Sequence, residues 1–78
     1  MRFVLRGRAL NLEKEDISRA IKGLEPQPIR KYAVALGGRE YPIKQVLCAA
    51  TGLPPAEFTA HDAYRILRKL GFGIVSYD

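Results

Sequence analysis

Cysteine and histidine are scarce: the chain has one of each, Cys48 and His61. A single cysteine cannot close an internal disulfide, and one Cys with one His is too small a ligand set for a structural zinc site. The sequence therefore predicts no metal and fits a reducing, cytoplasmic compartment. Long apolar runs are missing as well. In MRFVLRGRAL the run Phe3 to Leu5 is broken by Arg6, which argues against a signal peptide and against a membrane span. There is no glycine-rich phosphate loop, since Gly37-Gly38 leads into a strand and not a helix, and no pair of carboxylates stands at metal-binding spacing. A nucleophile and base made of Cys48 and His61 is conceivable, but Cys48 beside Leu47 on an alanine-rich helix suits a small buried filler better. The expectation is a protein that is not an enzyme and uses no cofactor. No repeat, low-complexity segment or long charge run interrupts the chain.

What is present is the composition of a globular domain, with 47% hydrophobic and 27% charged residues. At 78 residues it is one domain, because a chain this short buries only about 60% of its unfolded surface and cannot support two cores. Thirteen Lys and Arg against eight Asp and Glu give a net charge of +5. That excess favours an anionic partner, nucleic acid or acidic lipid, or else serves solubility alone.

Apolar periodicity sets the elements. Arg2 to Arg6 alternates as a half-buried strand that Gly7 ends. Asn11 can cap a helix with Glu13, Glu15 and Asp16 in its first turn, a stripe of Ile17, Ala20, Ile21 and Leu24, and a stop at Gly23. Pro26 and Pro28 make a stiff connector. Tyr32, Val34 and Leu36 alternate up to Gly37-Gly38, a two-residue turn that pairs Leu36 with Arg39, Ala35 with Glu40 and Val34 with Tyr41. Pro42 suits the first position of a helix with the stripe Ile43, Val46, Leu47, Ala50 and an end at Gly52. Thr59-x-x-Asp62 approximates a capping box for a last helix with the stripe Ala63, Ile66, Leu67, Leu70, stopped at Gly71. Phe72 to Tyr77 alternates as a final strand. The order β-α-β-β-α-α-β describes a small α+β domain, an antiparallel or mixed sheet covered by helices on one face.

Two groups of residues could carry chemistry. On the last helix His61, Tyr64, Arg65, Arg68 and Lys69 lie off the buried stripe. Guanidinium groups fork onto phosphate oxygens or guanine edges, and a tyrosine can hydrogen-bond a phosphate or stack on a base. The same residues equally suit a solvated face, with Asp62 paired to Arg65. The second group is Arg39, Tyr41 and Lys44, brought by the hairpin to the start of the middle helix, whose amides favour an anion. There Tyr41 is either a ligand or a core residue beside Val34. The helix pair has the outline of a helix-turn-helix, with a longer connection than the usual 3–4-residue turn. Arg2, Arg6 and Arg8 lie near the first strand, Arg2 and Arg6 on its polar face, and extend the basic surface or protect a sheet edge.

The run GREYPIKQVLCAATG followed by EFTAHDAYRILRKLGF resembles the head domain at the N-terminus of McrA-type, modification-dependent HNH restriction endonucleases. The shared pattern is a Tyr and a Lys three apart after a Gly turn, here Tyr41 and Lys44, then small residues, then a Phe before a helix ending Leu70-Gly71-Phe72. It covers about the second half of the chain and rests mostly on core and turn positions. Where that family often carries Ser-Gly-Gly after the Phe, this chain has Thr59-Ala60-His61, and it has no HNH motif. The resemblance implies an accessory domain of DNA-processing enzymes without the catalytic part, with phosphate contacts at Tyr41, Lys44 and the basic helix Arg65 to Lys69.

The expected function is a non-catalytic nucleic-acid-binding module, for DNA before RNA, acting as a monomer or weak homodimer, with a larger DNA-processing protein as a further partner and no membrane. The alternative is a protein-interaction or self-association module that pairs through an exposed sheet edge or apolar patch.

Overall fold

The computed structural model describes residues 1–77 and has the α+β architecture that the sequence predicts. Its elements are β1 (Arg2–Leu5), β2 (Arg8–Asn11), α1 (Lys14–Ala20), β3 (Tyr32–Leu36), β4 (Arg39–Pro42), α2 (Ile43–Thr51), α3 (Ala60–Lys69) and β5 (Ile74–Ser76), with a 3-10 turn at Pro55–Glu57 before α3. Three strands form an antiparallel sheet in the order β4-β3-β5, and β1 and β2 form a separate antiparallel hairpin.

The central hairpin has the register its turn dictates, Leu36 with Arg39, Ala35 with Glu40 and Val34 with Tyr41. Gly37 and Gly38 both take positive φ, 58° and 81°, which lets a two-residue turn follow the twist of the strands. Period-two alternation then sends Val34, Leu36 and Tyr41 into the core and leaves Ala35 outside. Helical spacing does the same for Ile43, Val46 and Leu47 on α2 and for Ala63, Ile66 and Leu67 on α3, all buried. Together with Ile17, Phe58, Leu70 and the inward residues Phe3 and Leu5 of β1, they make one core.

Three expectations about the first third of the chain need correction. The first strand ends at the turn that holds Gly7, but the chain does not go on to the helix: Gly7 with Arg6, at φ 49°, makes a second two-residue turn that folds β2 back on β1. Asn11 is consequently the last residue of β2, and the cap of α1 is Glu13, whose amide donates to the Asp16 carboxylate at 2.8 Å. The helix closes at Ala20, so Ile21 and Leu24 pack from the following turn. Pro42 also differs slightly: it ends β4 and caps α2 from outside. The last strand is shorter than expected, and beyond it the Tyr77 amide donates to the Lys31 carbonyl at 2.6 Å.

At the start of α3 the capping box forms in full: the Asp62 amide donates to the Thr59 hydroxyl at 3.1 Å and the Thr59 amide to the Asp62 carboxylate at 2.9 Å.

Candidate nucleic-acid interface

The antiparallel pairing of β3 with β4 sets Ala33 opposite Pro42, so the start of β3 meets the start of α2. The connector leading into β3 is fastened there by one side chain. Gln45, in the first turn of α2, accepts a hydrogen bond from the Gln27 amide at 2.9 Å and donates one to the Glu25 carbonyl at 2.8 Å. Because Pro26 and Pro28 stiffen the segment between them, this clamp fixes where Arg30, Lys31 and Tyr32 stand. Between connector and helix lies an open cleft of about 710 Å³. Arg30, Lys31 and Tyr32 line it from the connector and β3, Lys44 and Cys48 from α2, and Pro55 and Ala60 close its far side.

Charge in this cleft is of one sign, since none of the described residues lining it is acidic. Elsewhere five cations pair with carboxylates, Arg8 with Glu57, Arg19 with Asp16, Arg39 with Glu25, and both Arg6 and Arg65 with Asp62, while Arg2, Lys14, Lys22 and Lys69 have no such partner among the described residues. Among the described residues no carboxylate stands at ion-pairing distance from Arg30, Lys31, Lys44 or Arg68. Lys44 is half-buried, with its ammonium 5.7 Å from the centre of the buried Phe58 ring. It also opposes the effect of burial on Cys48, which pushes that thiol above its ordinary range.

An aromatic row runs out of the cleft. Ala60, Tyr64 and Arg68 recur every four residues and therefore share one flank of α3. Ala60 reaches the cleft, and the Tyr64 ring meets the Tyr32 ring edge to face at 5.3 Å and 62°. A cation ends the row on each side: the Lys31 ammonium lies 5.3 Å from the Tyr32 ring, and the Arg68 guanidinium 6.0 Å from the Tyr64 ring. Cation, ring, ring and cation thus follow one another across two elements, in contacts worth about 0.5–1 kcal/mol each at exposed sites.

Among the residues nominated from sequence, Lys44, Tyr64 and Arg68 come together at the cleft and the row beside it. His61, Arg65 and Lys69 are exposed on α3 and do not line the cleft, and Arg65 is tied to Asp62 at 3.7 Å. Tyr41 takes the second of its two sequence readings, and Arg39 stands apart from the cleft. Tyr41 is only 4% exposed and belongs to the core, because its register opposite Val34 turns it inward. Arg39 sits three residues along β4 from Pro42, roughly 10 Å at the usual strand rise, and pairs with Glu25. Sequence reasoning missed Arg30, Lys31, Tyr32 and Gln45. A signal was there in the adjacent cations and ring of Arg30-Lys31-Tyr32 just after Pro28.

Among the described residues no group of three His, Cys, Asp or Glu side chains is placed to hold a metal ion, and no helix is long and apolar enough to cross a membrane. In comparisons with known proteins, the family model described as SCO5918-like matches residues 1–77. No curated protein matches, and no solved structure matches.

Proposed function

We propose that this chain, which belongs to the SCO5918-like family, is a non-catalytic module that binds nucleic acid, in the first place DNA. The observation that carries the reading is the gathering of Arg30, Lys31, Lys44 and Arg68, without carboxylate partners among the described residues, around the exposed portions of Tyr32 and Tyr64. Cations neutralise phosphates and release their counterions, and rings between them offer faces to bases or hydroxyls to phosphates. The resemblance of residues 38–72 to an accessory domain of DNA-processing enzymes supports the same reading and suggests a larger DNA-processing protein as second partner.

The test is a titration of fluorescent oligonucleotides, duplex and single-stranded, across a salt series with the wild type and the double variant Lys44→Glu with Arg68→Glu. Four engaged cations give a slope of log K against log salt of about −3.6 on the duplex and about −2.8 on the single strand. The double variant should lose at least about tenfold in affinity and show a shallower slope. Unchanged affinity in a folded double variant rejects the surface, and no binding of either probe at low salt rejects the function.

A further inference from the structure

We infer that the nucleic acid this surface takes is single-stranded, with one base lodged in the cleft against Tyr32 and the flanking phosphates on Lys31, Lys44 and Arg68. The inference rests on nucleic-acid binding as proposed above and names the form of strand that the shape of the site selects.

Shape is the first ground. A duplex offers a ridge of phosphates and a major groove about 12 Å wide, and proteins read that groove by inserting a projecting helix or ribbon. Here three unpaired cations, Arg30, Lys31 and Lys44, line an open hollow. At about 710 Å³ this open cleft has room for one nucleobase with its sugar. A base reaches such a hollow only when it is free of its stack and its partner strand.

The second ground is where the projecting element has spent its charge. On the outward side of α3 Arg65 is held by Asp62, which also draws Arg6 across from the β1–β2 hairpin, and Lys69 is the lysine left there without a carboxylate partner among the described residues. A carboxylate in the first turn would meet the phosphates of any duplex docked on that face. The connection between α2 and α3, Gly52 to Thr59, is moreover eight residues long, twice or more the turn of a helix-turn-helix.

The third ground is preorganisation. Tyr32 is half-buried, held by its strand, by the edge-to-face contact with Tyr64 and by the Gln45 clamp on the preceding connector. A ring already fixed loses little freedom when a base packs on it, so more of the stacking energy appears as affinity. The Lys31 ammonium and the Arg68 guanidinium lie over the Tyr32 and Tyr64 rings, 5.3 and 6.0 Å from their centres, and put positive charge beside the ring pair for the phosphates that flank a base.

Fluorescence anisotropy with three labelled probes of about twelve nucleotides decides the matter: oligo(dT), the oligo(dT)·oligo(dA) duplex, and an abasic chain with the same sugar-phosphate backbone. Oligo(dT) is expected to bind at least about tenfold tighter than the other two. Tyr32→Leu should weaken oligo(dT) about five- to a hundredfold, the range that one base–aromatic stack represents, and Tyr32→Phe should retain it. Lys31→Ala should weaken all three probes alike. If the duplex binds as tightly as oligo(dT), or the abasic chain does, the base does not enter the cleft and this inference fails while nucleic-acid binding stands. If none of the probes binds at low salt, both fall. Should the leucine variant lose its fold, the comparison of oligo(dT) with the abasic chain on the wild-type protein still separates a lodged base from a backbone contact.

Discussion

Asp62 is the residue on which the start of α3 turns. It accepts the Thr59 amide and stands 3.7 Å from Arg65 and 3.9 Å from Arg6. Those donors and cations, the Thr59 hydrogen bond first among them, hold its carboxyl below the usual Asp value. A carboxyl whose folded value is depressed adds stability above its unfolded value, near 3.8, and that stability disappears as pH falls through the folded value. Asp62→Asn should therefore cost about 0.3–1 kcal/mol at pH 7, the worth of an exposed carboxylate at a helix start. It should also flatten the stability profile between about pH 5 and 2. Urea unfolding at several pH values checks both, and a profile as steep as that of the wild type would show that other carboxyls carry the acid sensitivity.

Among the elements, the two hairpins show what local sequence can and cannot announce. Gly37-Gly38 supplies both positive φ angles, so the turn type, the register and the inward placement of Val34 follow from two adjacent letters. Arg6-Gly7 makes the same kind of turn with one glycine, and a lone glycine after an alternating run reads as the end of a strand. The hairpin instead persists because Phe3, Leu5 and Leu12 are drawn into the core, a long-range gain that no local rule registers. The site divides in the same way. Lys44 and Arg68 were legible as cations off a buried stripe, whereas the meeting of Tyr32 with Tyr64 joins residues half a chain apart, and an alternating strand makes Tyr32 look like core alone. The turn at Gly7 gives a clean test. Its φ is 82° and a Cβ there would meet nothing within 4 Å, so Gly7→Ala costs only backbone strain, about 1–2 kcal/mol. Gly73 also has open space and no positive φ, and Gly73→Ala should be neutral or add a few tenths of a kcal/mol. Equal thermal shifts in the two variants would mean that the first hairpin does not hold this turn in solution.

On the scale of the whole molecule, one core serves every element. Leu47 is fully buried within a cluster that takes in Phe3 and Leu5 from the first hairpin, Val34 and Tyr41 from the sheet, and Ile66 and Leu67 from α3. A domain of 78 residues holds about 4–12 kcal/mol of net stability at roughly 0.05–0.15 kcal/mol per residue. Truncating one buried leucine removes about 2–5 kcal/mol through lost burial and the cavity left behind. Leu47→Ala should thus take away a large share of the total, lowering the melting midpoint by about 8–40 °C at the 4–8 °C per kcal/mol of so small a chain. Because the cleft is walled by α2 and β3, both rooted in that cluster, unfolding should be a single transition in which helix signal and tyrosine fluorescence disappear together. Two separated transitions, with the β1–β2 hairpin or α1 melting first, would mean that the core is not shared. A midpoint shift under about 3 °C would mean that Leu47 is not enclosed.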